Sequence, residues 1–126
     1  MVQRTFEGIG NAGVESDIVI ATCETQVASL TDHVIGDFDL VVEPERRDTA
    51  PAIFLSCAFL CLEKNVALDE TVVVMPIDTF ADQDYYCKLG AIDVAVQSGC
   101  SDITLLGVEP TYPSEKFGYI VPEDLT

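Results

Sequence analysis

The chain is 126 residues long and 48% apolar, which is enough for one domain with a real hydrophobic core. Its 22 acidic and 6 basic residues leave a formal charge of -16, and this charge repels nucleic-acid backbones and anionic membrane surfaces. We therefore expect neither nucleic acid nor a membrane as a partner. No apolar run reaches the roughly 18 residues of a membrane span, and the first residues lack the apolar stretch of a signal peptide, so a soluble, cytoplasmic protein is expected.

The first part of the chain predicts strand, helix, strand and helix in that order. The β-branched run SDIVIAT (residues 16–22) predicts a strand, and the residues after it carry apolar side chains at helical spacing. The segment DLVVEP (residues 39–44) predicts a second strand that ends at its proline. A helix follows, with Asp48 or Thr49 as its cap and Pro51 in its first turn.

The second part of the chain repeats this alternation. ETVVVMP (residues 70–76) predicts a third strand, and residues 81–99 predict a long helix that begins at the acidic residues Asp82 and Asp84. DITLLGVEP (residues 102–110) predicts a fourth strand. Continuous apolar strands that alternate with helices are typical of a parallel sheet covered on both faces. The predicted fold class is therefore α/β, a three-layer, mostly parallel sheet with helices on both faces.

The five cysteines are an odd number without a CxxC pair, which indicates reduced thiols. Cys57 and Cys61 are four residues apart on the helix predicted after the second strand, a spacing that would suit two metal ligands. The stretch around them, APAIFLSCAFLCL, is apolar on nearly every side, and cysteine in such surroundings packs as a small hydrophobic residue. We therefore predict that this pair packs in the core and binds no metal.

Three polar clusters follow the predicted strands, at residues 43–52, 75–78 and 107–120. Ligands of a parallel α/β sheet bind at the carboxyl ends of its strands, so we expect these clusters to converge. Asp78 comes just after the third predicted strand, and a carboxylate with no base beside it suits a hard cation such as Mg²⁺. A helix cap or a loop residue is an equally open interpretation of Asp78.

The motifs EPERRDTAPAI, VVVMPID and GVEPTYPSEKFGYI occur here in this order. They resemble EPxGRNTAPAI, PADH and G(I/V)xPTxPETGYGYI of bacterial mannose-1-phosphate guanylyltransferases, the GDP-mannose pyrophosphorylases of the nucleotidyltransferase superfamily. The resemblance extends over essentially the whole chain, whose first residues resemble the family's first helix. It implies that residues 1–126 are a single partial, Rossmann-like nucleotidyltransferase domain. It also implies an Mg²⁺-dependent transferase that joins GTP and mannose 1-phosphate to give GDP-mannose and pyrophosphate.

The resemblance implies roles for individual residues. Asp78 matches the aspartate of PADH and would be a catalytic residue and one of two metal ligands. The loop that would lie against the guanine base contains Glu43, Arg47, Asp48, Thr49 and Ala50. A carboxylate in this loop can accept hydrogen bonds from the ring N–H and amino group of guanine. Gly118 and Tyr119 match the end of the third motif and would lie near the sugar.

Several departures leave alternatives open. Arg46 and Asp48 replace the usual Gly and Asn, and residues 114–117 differ from the family, so a pyrophosphorylase for another sugar or base is one alternative. The family's phosphate-binding loop GGxGTRLWPLSR has no counterpart in the chain, and neither has the second metal-binding acid. We therefore expect the isolated chain to be inactive and to bind GTP with Mg²⁺ weakly or not at all. A non-catalytic regulatory or interaction module is the other alternative, and an exposed sheet edge would allow a homodimer.

Overall fold

The computed structural model describes residues 1–77, 80–99, 101–116 and 118–121. The elements in these ranges are, in chain order, α1 (Val2–Asn11), β1 (Val19–Cys23), α2 (Glu24–His33), β2 (Asp39–Glu43), α3 (Thr49–Leu62) and α4 (Gln83–Gln97). None of the helices in the described ranges has the length and apolar character needed to cross a membrane.

The sheet consists of β1 and β2, which run parallel in a register that pairs Val19 with Asp39 and Cys23 with Glu43. Parallel strands cannot be joined by a tight turn, and α2 provides the crossover between them. Ile20 and Val41 are buried, as is the Thr22 side chain. Because Ile20 and Thr22 are two residues apart, one face of β1 packs inward. Helices α2 and α3 both contact the two strands.

A second packing unit joins α1 to α4. Gly8 of α1 is buried, and a Cβ at this position would overlap the ring of Tyr86. The Gln83 side chain donates a hydrogen bond from Nε2 to the Gly8 carbonyl at 3.1 Å. Tyr86 and Leu89 are the buried residues of α4. The absence of a side chain at Gly8 therefore allows the close approach of the two helices.

Helix α1 also contacts the segment that leads into β2. The Ile35 N–H donates to Gln3 Oε1 at 2.8 Å, and the ring of Phe6 meets that of Phe38 edge-on, with centroids 5.8 Å apart. Edge-to-face geometry at this distance is favourable for aromatic pairs. The α1–α4 unit and the β1–α2–β2 unit are therefore held together through α1.

The predicted starts of α3 and α4 are confirmed. Asp82 is the N-cap of α4, and its carboxylate accepts a hydrogen bond from the Tyr85 N–H at 3.1 Å. Asp48 occupies the N-cap position of α3, and Pro51 lies in the first turn of that helix, where its missing N–H is not needed. The helix expected at the start of the chain is present as α1.

The α/β class is confirmed, but the third and fourth strands were wrong. Residues 70–76 and 102–110 have no regular secondary structure, and β1 and β2 are the strands of the described ranges. Val72, Val73 and Val74 are 46%, 47% and 57% exposed. A β-branched apolar run becomes a strand only where a neighbour offers unpaired backbone groups, because ladder hydrogen bonds define the element. Within the described ranges, neither run pairs with β1 or β2.

Candidate functional site

The candidate site starts at the carboxyl ends of β1 and β2. Cys23 and Glu43 are register partners at this edge, and each is half-buried. The chain passes directly from β1 into α2 after Cys23, and from β2 through residues 44–48 into α3. Both helices therefore begin at this edge, where their N-terminal N–H groups carry partial positive charge.

The loop after β2 is shaped by an ion pair and by an unusual backbone conformation. Arg47 donates from Nη2 and Nε to the same oxygen of Glu45, at 2.7 and 3.1 Å, and both side chains are exposed. Asp48 has φ of 67° and ψ of -174°. That region of backbone space is occupied almost entirely by glycine and costs about 1–3 kcal/mol for other residues. The predicted nucleotide loop therefore contains local strain directly before α3.

The N-terminus of α3 is open to solvent. Thr49 and Ala50 are exposed, and the Asp48 side chain makes no cap hydrogen bond to α3. Arg46, two residues before Asp48 in the loop, is exposed as well. Backbone N–H groups at a helix start, together with guanidinium groups, can donate hydrogen bonds to anionic or carbonyl oxygens. Glu43 adds an acceptor at the same edge, so the loop offers donors and an acceptor to one ligand.

Cys23 is a residue of this edge that the sequence did not single out. Its sulfur lies 3.2 Å from the Thr25 hydroxyl. This hydrogen bond lowers the pKa of the Cys23 thiol below its ordinary value; partial burial opposes the shift, and the positive charge of Arg46 adds to it. The sequence did contain a positional signal, because Cys23 directly follows the strand predicted at residues 16–22 and lies at the start of the next predicted helix.

The third motif is organised around Tyr119. Its hydroxyl oxygen accepts a hydrogen bond from the Ser114 N–H at 2.6 Å and donates to the Ser114 carbonyl at 3.0 Å. The Ser114 hydroxyl in turn accepts from the Lys116 N–H at 3.2 Å. A Cβ built on Gly118 would meet no atom within 4 Å, so this position borders open space.

The structure brings only some of the predicted site residues together. Glu43, Arg47, Asp48, Thr49 and Ala50 are consecutive or nearly so at one edge, but no hydrogen bond or ion pair joins residues 43–50 to residues 114–121 in the ranges the structure covers. The convergence predicted for the three clusters depends on four adjacent strands. Because residues 70–76 and 102–110 do not join the sheet, strand pairing does not align the described parts of the later clusters with the end of β2.

The metal site predicted at Asp78 is not complete within the described residues. Asp78 lies outside the described residues. Among the residues that are described, no group of three or more His, Cys, Asp or Glu side chains is placed to hold a metal ion. Cys57 and Cys61 on α3 are half-buried free thiols, as is Cys23, and Cys87 on α4 is an exposed free thiol. The described residues therefore do not fit a magnesium site by themselves.

A comparison with known protein families identifies the family to which this chain belongs. The family model described as "Nucleotidyl transferase" matches residues 1–126. The chain belongs to the nucleotidyl transferase family. No solved structure matches the chain significantly.

This nucleotidyl transferase chain is similar to several curated proteins. It is 30% identical over 125 residues to a protein of Salmonella montevideo named mannose-1-phosphate guanylyltransferase, covering 95% of this chain and 25% of the relative. It is 28% identical over 122 residues to a putative mannose-1-phosphate guanylyltransferase of Vibrio cholerae serotype O1, covering 95% of this chain and 26% of that protein. The alginate biosynthesis protein AlgA of Pseudomonas fluorescens is 26% identical over 123 residues, again covering 95% of this chain and 25% of the relative. The chain thus spans about a quarter of the length of the curated relatives it matches.

Proposed function

We propose that this chain is part of a mannose-1-phosphate guanylyltransferase and contains the loop that contacts the guanine base. In that reaction an oxygen of the mannose 1-phosphate group attacks the α-phosphorus of GTP, and pyrophosphate leaves as GDP-mannose forms. The observation that carries the proposal is the match of 95% of the chain to proteins of that name. The position of Glu43 and residues 44–50 at the carboxyl edge of β2 supports it, since parallel α/β sheets bind ligands at this edge.

Glu43 is the proposed determinant for the guanine base. Its carboxylate would accept from the ring N–H and amino group of guanine, whereas adenine offers no such pair of donors in that arrangement. Half-burial of Glu43 strengthens hydrogen bonds to it relative to a fully solvated carboxylate. Arg47, already held by Glu45, would provide a fixed guanidinium beside the nucleotide.

Magnesium dependence is part of the proposal and rests on the chemistry of Asp78. A bound Mg²⁺ would neutralise charge on the reacting phosphates. The described residues do not form a metal site, and the net charge of -16 disfavours triphosphate binding. We therefore propose that the chain alone is inactive and binds GTP with Mg²⁺ weakly or not at all. We also propose that the protein is cytoplasmic.

A chimera tests the proposed function directly. The matching residues of the Salmonella montevideo relative are replaced by this chain, and GDP-mannose formation is measured with Mg²⁺. We expect activity with GTP and mannose 1-phosphate. A Glu43→Gln chimera should lose about tenfold or more of its preference for GTP over ATP, because an acceptor becomes a mixed donor and acceptor. Glu15→Gln, at an exposed position outside the loop, is the matched control. A correctly folded chimera that uses neither GTP nor mannose 1-phosphate contradicts the proposal.

Exposed apolar surface supports a second candidate role, that of an interaction module. Large apolar side chains are exposed in the described ranges, among them Phe54, Leu62 and Phe80. An apolar groove of about 340 Å³ lies between β2 and α3 and is lined by residues such as Val42, Leu55 and Phe59. Both β1 and β2 have one edge without a strand neighbour in the described ranges.

A homodimer through such a sheet edge is the form of this role that we propose to test. Sedimentation across a range of protein concentrations should then show a monomer and dimer in equilibrium. A single monomeric species at high concentration would remove the homodimer from consideration. Co-sedimentation with the remainder of a guanylyltransferase chain, without self-association, would instead favour the enzymatic proposal.

A further inference from the structure

The Tyr119 hydroxyl engages both backbone groups of a single residue. It accepts from the Ser114 N–H at 2.6 Å and donates to the Ser114 carbonyl at 3.0 Å. The two residues are five positions apart in the sequence, so the side chain reaches back along its own segment. Tyr119 is 50% exposed and Ser114 is half-buried. We call the pair of hydrogen bonds between Tyr119 and Ser114 the tyrosine latch.

The tyrosine latch lies in a segment that no helix or strand holds in place within the described residues. Residues 101–116 and 118–121 contain no helix or strand, and Pro113 has no N–H to contribute. The Ser114 hydroxyl accepts from the Lys116 N–H at 3.2 Å. The two hydroxyl groups therefore define the local shape around Ser114, and through that residue they constrain the backbone of Lys116.

Lys116 connects this backbone constraint to ligand binding. It is the one basic residue between positions 101 and 121 of a chain that carries a charge of -16, and it is exposed. An ammonium group suits a phosphate as a point charge. Its long stem is flexible, so the position of the backbone beneath it largely decides where that charge is presented.

We propose that Tyr119 is a positioning residue that acts through Ser114 to present Lys116 to a sugar phosphate. The inference rests on the proposed function, since that function provides the sugar phosphate. It differs from a direct contact between the Tyr119 hydroxyl and the sugar, because the hydroxyl is engaged by Ser114. Removal of the Ser114 N–H should therefore have the same effect as removal of the hydroxyl.

Amide hydrogen exchange tests the latch without any ligand. We expect the Ser114 amide of Tyr119→Phe to exchange about tenfold faster than in the unmodified chain, since the closing hydrogen bond is lost. Tyr112→Phe is the matched control, because Tyr112 is 66% exposed and its hydroxyl makes no hydrogen bond among the described residues. Equal Ser114 exchange in the unmodified chain and in Tyr119→Phe overturns the latch.

Binding of mannose 1-phosphate tests the positioning role, with the amide signals of Ser114 and Lys116 as the readout. Tyr119→Phe and Ser114→Pro should each weaken binding about fivefold, and the double variant should bind no more weakly than either single variant. Ser114→Ala keeps the N–H but removes the hydroxyl that accepts from the Lys116 N–H, so it should also weaken binding, whereas Tyr112→Phe should bind like the unmodified chain. Unchanged binding by Ser114→Pro, with binding lost in Tyr119→Phe, indicates direct sugar contact and overturns the positioning role. If the unmodified chain binds no mannose 1-phosphate, the positioning role and the proposed sugar site both fail, while the exchange result still decides the latch.

Discussion

The Cys23 sulfur lies 3.2 Å from the Thr25 hydroxyl, at the point where β1 passes into α2. The hydrogen bond favours the thiolate and lowers the pKa of Cys23; partial burial opposes this, and Arg46 assists it. A group whose folded pKa is lowered stabilises the fold above its unfolded pKa, and that contribution is lost as the pH falls through the folded pKa. Cys23 therefore contributes to the stability of the fold under alkaline conditions. Near neutral pH, the reactivity of the Cys23 thiol is the better measurement.

Thr25→Val should slow alkylation of Cys23 by iodoacetamide near neutral pH, because its pKa rises and less thiolate is present. We expect a rate about threefold to tenfold lower, measured by mass spectrometry of the Cys23 peptide. Thr31→Val is the matched control, since the Thr31 hydroxyl on the same helix donates to the Val27 carbonyl and lies away from the thiol. An equal effect of the two variants would show that Thr25 does not act on Cys23.

The strained backbone at Asp48 predicts a stabilising substitution. Asp48 has φ of 67° and ψ of -174°, and Asp48→Gly should stabilise the chain by about 1 kcal/mol, because glycine adopts this conformation without strain. Urea unfolding measures the change. Asn65→Gly is the control: Asn65 has φ of 54°, which asparagine tolerates better than most residues, so the gain there should be smaller. Destabilisation by Asp48→Gly would mean that the side chain, rather than the backbone, holds the loop.

The helices and strands of this fold show which features the sequence predicts and which it does not. The order β1, α2, β2, α3 and the Asp82 cap of α4 follow from local signals, namely apolar periodicity and cap chemistry, and the structure confirms them. The third and fourth strands failed because a strand depends on a neighbour, and an apolar run does not specify its neighbour. The latch between Tyr119 and Ser114 was not predictable for a related reason, since it depends on how an irregular segment folds back on itself. Asp78, the predicted metal ligand, lies outside the described residues and stays a prediction.

Two glycines of α1 should respond to the same substitution in opposite directions. A Cβ at Gly8 would overlap the Tyr86 ring, whereas one at Gly10 meets no atom within 4 Å. Gly8→Ala should therefore destabilise the chain by about 1–3 kcal/mol through overpacking of α1 on α4. Gly10→Ala should stabilise it by about 0.5–1 kcal/mol, because alanine favours the helix. Thermal unfolding of both variants checks the prediction, and a stabilised Gly8→Ala would show that α1 does not pack on α4.

The net charge predicts how salt affects stability. The chain carries a charge of -16, and the described residues contain two ion pairs, Arg47–Glu45 and Lys64–Asp39. Most carboxylates therefore repel one another across the folded surface more strongly than in the expanded chain. Raising NaCl from about 0.01 to about 0.3 M shortens the screening length severalfold, so the midpoint of thermal unfolding should rise by about 5 °C or more.

Charge variants separate screening from other effects of salt. Asp69 and Glu70 are exposed, and Asp69→Asn with Glu70→Gln removes two negative charges, which should raise stability at low salt and reduce the response to NaCl. Lys88→Gln removes a positive charge from an exposed position and should increase the response. All three proteins should converge at high ionic strength, because screening removes the difference between them. Parallel salt responses that keep a constant offset would contradict a charge mechanism, and a midpoint that rises with protein concentration would point instead to self-association.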